Sequence, residues 1–179
     1  GYPCSLNRHD KHTMPNSPAS AAANSELTMT VLMTPPMANF SGKVHGGTLL
    51  KFLDEVAYAC ACRYAGCYTV TLSVDQVTFR QPINVGELVT FLAKVNFTGR
   101  TSMEVGIKVI TENIREKSVR HTNSCFFTMV AVDDHGNPTT VTPLVPSNLA
   151  EERRFSQAKQ RREIRQELEK RHKALLDGD

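Results

Sequence analysis

The segment from Gly47 to Tyr64 constrains this chain more than any other. Leu49, Leu50, Leu53, Val56, Ala57, Cys60, Ala61 and Tyr64 recur at intervals of three and four, the period of an α-helix with one buried stripe. A helix cannot bury a stripe of that length against itself, so the rest of the chain must provide a covering surface. The residues that follow change period. Val70, Leu72 and Val74 alternate with Thr71 and Ser73, and three further runs, at about 88–98, 102–113 and 119–132, have strand composition. The connections are short: Thr98-Gly99-Arg100, residues 114–118, and a closing turn at 133–137. Ahead of the helix, LTMTVLM at 27–33 alternates apolar residues with Thr until Pro35-Pro36 stops it. Strand, helix, then four strands predicts an α+β chain whose antiparallel sheet curls around one long central helix. After Asp75 the apolar phase slips by one, to Val77 and Phe79, which predicts a β-bulge at Asp75-Gln76.

Residues 1–26 are rich in Ser, Ala, Asn and Pro without a sustained apolar period, the composition of a disordered leader; Met14 within it reads as an internal start or the boundary of an expression remnant, and Arg8 as the only arginine there gives a transit peptide weak support. Residues 27–147 form the expected domain. Residues 148–179 read as a charged helix, carrying nine Lys/Arg and seven Asp/Glu from Glu151 onward with sparse apolar positions, and so mostly solvated. The net charge of +3 over 179 residues is too diffuse for a nucleic-acid partner. The longest apolar stretches, such as 56–62, fall far short of the roughly 20 residues of a membrane span. Five cysteines, odd in number and without a CxxC pair, fit free thiols and a cytoplasmic setting. Cys60 and Cys62 lie about 200° apart on a helix and cannot share a metal, so no metal site is expected.

Val44-His45-Gly46-Gly47 places two residues without side chains at a helix start. Free backbone N–H groups and the positive end of the helix dipole meet there, an arrangement suited to an oxyanion; glycines that merely permit close packing are the alternative. Helical angles separate Asp54 from Glu55. With Leu49 at zero the stripe centres near about 50°, Asp54 falls at about 140°, Gly47 at about 160° and Glu55 at about 240°. Asp54 therefore sits on the shoulder of the buried face, on the side of Gly47, placed to act as general base or nucleophile, or to pair with Lys51 or Arg63. Glu55 points to solvent. His45 reads as a structural histidine, since no GxSxG elbow accompanies it, and Asp75 is a second candidate acid. By spacing alone, Asn39 is a loop residue bonding its own backbone.

The runs NFSGKVHGGTLLKFLDEVA at 39–57, SVDQVTF at 73–79 and GRTSME at 99–104 resemble the hot-dog acyl-CoA thioesterases over about residues 27–160, in particular bacterial acyl-CoA hydrolases similar to the tandem-domain cytosolic enzyme of mammalian brain. The resemblance implies a hot-dog fold and hydrolysis of fatty acyl-CoA to free fatty acid and CoA, with Asn39, Asp54 and Gly47 catalytic. It implies a homodimer with the site across its interface, gathered into a trimer of dimers, and no cofactor, CoA being part of the substrate. His45 and Gly46 would line the substrate site. The phosphates of CoA call for cations, with Arg80, the turn Arg100-Thr101-Ser102 and the stretch from Arg153-Arg154 to Arg161-Arg162 as candidates. Lys43 departs from the Asn that family members often carry. A β-hydroxyacyl-thioester dehydratase or hydratase using His45, or a non-catalytic acyl-CoA-binding module, are the competing expectations.

Overall fold

The structure, a computed structural model, describes residues 24–176. All but the last three residues of the expected leader lie outside them. Those three are ordered by the sheet: Ser25 is buried, its carbonyl accepts from the Val95 N–H at 2.9 Å, and β1 begins at Glu26.

Five strands, β1 (Glu26–Leu32), β2 (Tyr68–Val74), β3 (Leu88–Thr98), β4 (Ser102–Asn113) and β5 (Ser118–Val132), form one antiparallel sheet in the order β1-β3-β4-β5-β2. A 3₁₀ turn at Pro35–Met37 and the helix α1 (Gly46–Ala65) lie between β1 and β2. The expected hot-dog arrangement is what forms. Leu49, Leu53, Val56, Ala57, Cys60, Ala61 and Tyr64 of α1 are buried against alternate residues of the sheet, Val89, Phe91, Ala93 and Val95 of β3, Val105, Ile107 and Val109 of β4, and Phe127, Met129 and Ala131 of β5. Antiparallel register aligns these positions on one face, as in the pairs Phe91↔Val109 and Ile107↔Cys125. Gly66 ends α1 in the left-handed region, φ 68°, returning its N–H to the Cys62 carbonyl, a conformation only glycine adopts without cost.

The bulge lies elsewhere than expected. The β2–β5 register shifts between Thr71 and Ser73, and β2 ends at Val74. The Asp75 N–H still reaches the Phe126 carbonyl at 3.0 Å, after which residues 75–80 run on outside the ladder. The slip in apolar phase at Asp75-Gln76 thus records the chain leaving the sheet and not an inserted residue within it.

The C-terminal helix α2 (Leu149–Leu176) is more firmly docked than its composition suggested. Ala158 is completely buried, and Phe155 meets Phe97 with ring centroids 4.9 Å apart. Glu104 of β4, its side chain 1% exposed, receives Arg161 at 2.6 Å and Arg165 at 2.9 Å, while Arg165 also reaches Asp75 at 2.8 Å. The Arg161 guanidinium lies 3.7 Å from the Phe126 ring centroid. At the helix start, Lys94 bridges Glu151 and Glu26. A buried carboxylate needs full compensation, and α2 supplies it; within the helix itself those arginines look like any other solvated charges.

Glu104→Gln should therefore cost about 3 kcal/mol of stability and accelerate amide exchange along α2, read by denaturant unfolding and hydrogen exchange. The Lys94 ammonium and Ser147 hold the Glu151 carboxyl down at about 2. A depressed carboxyl contributes stability that is complete above its unfolded value and lost as pH falls toward the folded one. Docking of the first turn of α2 should weaken progressively from about pH 4.5 to about 2, and Glu151→Gln should flatten that part of the stability profile.

Candidate active site

The start of α1 is built by its cap. His45 takes extended φ/ψ, and its Nδ1 accepts the Gly47 N–H at 2.9 Å. Nδ1 is thus unprotonated, consistent with a structural histidine. This changes which amide is open. The Gly47 N–H is engaged, and the Thr48 N–H returns to the His45 carbonyl, whereas the Gly46 N–H has no partner among the described residues. Gly46 packs beneath Phe79, whose ring would lie 3.6 Å from a Cβ placed there. A ligand oxygen at this helix end meets Gly46 first and reaches Gly47 by displacing the imidazole.

Asp54 and Glu55 separate as the helical angles require. Glu55 is exposed and 3.8 Å from Lys51. The Asp54 carboxylate pairs with neither Lys51 nor Arg63; its Oδ1 accepts a hydrogen bond from the Thr71 hydroxyl at 2.7 Å. Thr71 was not singled out from the sequence. Its signal was the alternation in β2, where Thr69 is buried toward α1 and Thr71, two residues on, shares its side. Around this pair the surface is apolar. Leu50 and Tyr58, one turn before and one turn after Asp54, are each 40% exposed, and Tyr68, Val70, Leu72 and Val74 of the edge strand β2 are exposed as well. The Tyr58 and Tyr68 rings touch edge to face.

Asn39 stands in the loop that leads to α1. Its Oδ1 accepts from the Ser41 N–H, the Ser41 hydroxyl and the Lys43 N–H, at 2.9, 2.7 and 3.1 Å. The residue does bond its own loop, as spacing suggested, but through the oxygen alone. Its amide nitrogen has no partner among the described residues and is oriented by those three bonds. Next to it, Phe40 is fully exposed. No hydrogen bond joins Asn39 to Asp54 among the described residues. Lys43 turns to Asn84, at 2.6 Å.

The candidate cations divide sharply. Arg161 and Arg165 are consumed by Glu104. Arg100 is exposed at the β3–β4 turn, which the Gly99 N–H closes on the Ser102 carbonyl at 2.8 Å and which carries Thr101. The Arg162 guanidinium overlies this turn, 3.4 Å from where a Cβ on Gly99 would sit. Arg100 and Arg162 have no carboxylate partner among the described residues. Arg80 lies beside the other end of β5. Asn123, near Arg80, and Val130, opposite Ser102, are seven residues apart, about 23 Å along a strand, so within one chain Arg80 and Arg100 cannot hold one phosphate. Asp75, the second candidate acid, is neutralised by Arg165. Burial pushes the Cys60 and Cys125 thiols up to about 12, which removes both as nucleophiles. No group of potential metal ligands occurs among the described residues, and none of the described helices is long and apolar enough to cross a membrane.

Comparison with known proteins gives the chain's relatives. Residues 41–118 match the family model of the thioesterase superfamily. Protein VdlD of Helicobacter pylori is 51% identical over 144 residues, covering 80% of this chain and 82% of that protein. An uncharacterised acyl-CoA thioester hydrolase of Bacillus subtilis, YkhA, is 32% identical, with coverage of 86% and 90%. The rat cytosolic acyl coenzyme A thioester hydrolase is 32% identical over 82% of this chain, which spans 39% of its length. Among solved structures, the Staphylococcus aureus acyl-CoA hydrolase, in complex with butyryl coenzyme A, coenzyme A and coenzyme A disulfide, superposes with a TM-score of 0.79 at 29% identity, covering 87% of this chain and 95% of that one. A hexameric acyl-CoA thioesterase gives 0.78 at 36% identity, with 82% and 94% covered.

The cap provides a test independent of any ligand. His45→Ala removes the acceptor for the Gly47 N–H and should lower stability by about 1 kcal/mol in urea unfolding, while Glu55→Gln, which removes only an exposed pair, should leave it within about 0.5 kcal/mol.

Proposed function

The chain belongs to the thioesterase superfamily as an acyl-CoA hydrolase of hot-dog fold, and from that premise we propose that it hydrolyses fatty acyl-CoA to free fatty acid and CoA with Asp54 as general base. The observation that carries the residue assignment is the Thr71–Asp54 hydrogen bond. The S. aureus hydrolase has been crystallised as alanine variants of an asparagine, an aspartate and a threonine. Their separations, fifteen residues and then seventeen, equal those relating Asn39, Asp54 and Thr71.

In this reading the thioester carbonyl oxygen lies at the start of α1, where the Gly46 N–H is open and the Gly47 N–H becomes available as the imidazole of His45 yields. Asp54, held by the Thr71 hydroxyl, takes a proton from water as its oxygen attacks the carbonyl carbon. The negative charge that develops on the carbonyl oxygen is stabilised by the backbone donors and the positive end of α1. Collapse of the tetrahedral intermediate breaks the carbon–sulfur bond; the thiolate of CoA takes the proton held on Asp54, which restores the base, and the fatty acid gives its own proton to water and leaves as the carboxylate. The Asn39 amide, with its oxygen fixed in the loop, donates to water or carbonyl. The phosphate end of CoA is assigned to the corner formed by Arg100, Thr101, Ser102 and Arg162.

One protomer leaves Asp54 exposed amid apolar residues, which is a poor environment for a base that must act on one oriented water. A second copy laid along the unpaired edge of β2 would cover Tyr58, Tyr68, Val70 and Leu72, shield the carboxylate from bulk water and strengthen each polar interaction there. The same copy would bring its own Asn39 loop and Phe40. We therefore assign the site to a homodimer interface, with hexamers built from such dimers; one structural relative is hexameric. A cytoplasmic setting accords with the cytosolic rat relative. No carboxylate contacts the His45 ring among the described residues, whereas Asp54 is held by the Thr71 hydroxyl, which favours hydrolysis over the hydratase alternative.

Asp54→Asn should lower kcat by about 10²–10⁴ and Asn39→Ala by about 10²–10³, with folding and assembly intact. Mixing the two inactive variants after dissociation should restore one working site per heterodimer, read as release of free CoA thiol. Full activity in Asp54→Asn would overturn the mechanism, and no recovery on verified mixing would assign both residues to one chain.

A further inference from the structure

Between the segment that follows β2 and the first half of β5 lies a cavity of about 540 Å³ lined by polar residues. Gln76, Thr78, Arg80 and Gln81 contribute from one side, His121 and Asn123 from the other. No Asp or Glu belongs to the lining, because the nearby carboxylates are already matched: Asp75 by Arg165, and Glu87 by Arg120 at 2.7 Å.

Four side chains of this wall are unspent. The side chains of Gln76, Thr78, Arg80 and Gln81 have no hydrogen bond or ion pair among the described residues. Asn123 is 8% exposed and its Nδ2 is buried, so that nitrogen stands behind the wall and not at the cavity surface. His121 Nε2 lies 2.9 Å from the Asn123 carbonyl and 2.8 Å from the Ser124 hydroxyl. Since a carbonyl only accepts, that nitrogen carries the hydrogen, and the contact fixes the ring against the cavity. One guanidinium, two side-chain amides and a hydroxyl lining a volume without negative charge suit a multivalent oxyanion, which offers several acceptors to such donors.

We propose that this cavity is a binding site for a phosphate group, separate from the Arg100–Arg162 corner about 23 Å along β5. It stands next to the chemistry on the other side of one extended segment. Thr78 and Arg80 face the cavity, whereas Phe79 between them lines the small apolar pocket with Leu49 and Leu53 and packs on Gly46. A phosphate held by Thr78 and Arg80 thus fixes the ring that rests on the open amide of the helix start. The group could be supplied by CoA bound to a neighbouring protomer or by a free phosphate compound; both present the same oxygens.

The site is tested by calorimetric titration of the full-length protein with inorganic pyrophosphate. Saturable binding is expected, weakened at least tenfold in Arg80→Gln and abolished in Gln76→Glu, which places a carboxylate in the wall; both positions are exposed, and circular dichroism verifies folding. Loss of pyrophosphate binding in the presence of saturating CoA identifies the phosphates of CoA as the source, and retention identifies a free phosphate compound. Absence of saturable binding, or equal affinity in folded Arg80→Gln, overturns the proposal. Butyryl-CoA hydrolysis on the same preparations separates this from the proposed function: an active enzyme that ignores pyrophosphate refutes only the cavity, and an inactive one that binds it refutes only the hydrolysis.

Discussion

Everything functional in this molecule hangs on the burial of one stripe of α1 inside the curl of the sheet. Seven residues of that stripe are buried, and at about 1.5–3 kcal/mol for each large apolar side chain they outweigh any single polar contact in the chain. Their burial fixes the rotation of the helix about its axis. Rotation in turn decides that Asp54 emerges at the rim beside β2 while Glu55 is turned to water, and that the helix start meets Phe79. A helix free to turn by one residue would exchange the two carboxylates.

The stripe also explains what remains open. The sheet wraps α1 but stops at β2, so Leu50 and Tyr58 stay partly exposed and β2 presents an unpaired edge with Tyr68, Val70 and Leu72 outward. An apolar edge of this kind seeks a partner. Asp54 and Thr71 lie beside it, and Asn39, whose amide nitrogen has no partner among the described residues, is carried by a loop whose neighbour Phe40 is wholly exposed. In the proposed dimer, a second copy laid on this edge would enclose the site.

Charge is distributed by the same logic of spent and unspent groups. Arg120, Arg161, Arg165 and Lys94 are committed to carboxylates, two of them to the buried Glu104, and they hold α2 on the sheet and the loop after residue 81 against β5. Arg80, Arg100 and Arg162 are not committed. They stand at two separate places, Arg80 in the segment after β2 and Arg100 with Arg162 at the β3–β4 turn, which the modest net charge of +3 conceals.

The sequence by itself determined the helix, its rotation and the strands, because periods of 3.6 and 2 are local properties of the chain and the Asp54–Gly47 relation follows from helical angle alone. The resemblance in residues 39–57 singled out Asn39. Several facts were decided only by the tertiary structure: that Thr71 holds Asp54, that the bulge falls at Leu72, that His45 occupies the Gly47 N–H, and that α2 is bound through Glu104. Each depends on which residue of a distant element stands opposite. Thr71 meets Asp54 only because β2 returns alongside α1 with its bulge at that point, and the arginines of α2 differ from solvated charges only because β4 buries an acid beneath them. Register and docking are set by the summed packing of the whole core, and no window of the sequence contains that sum.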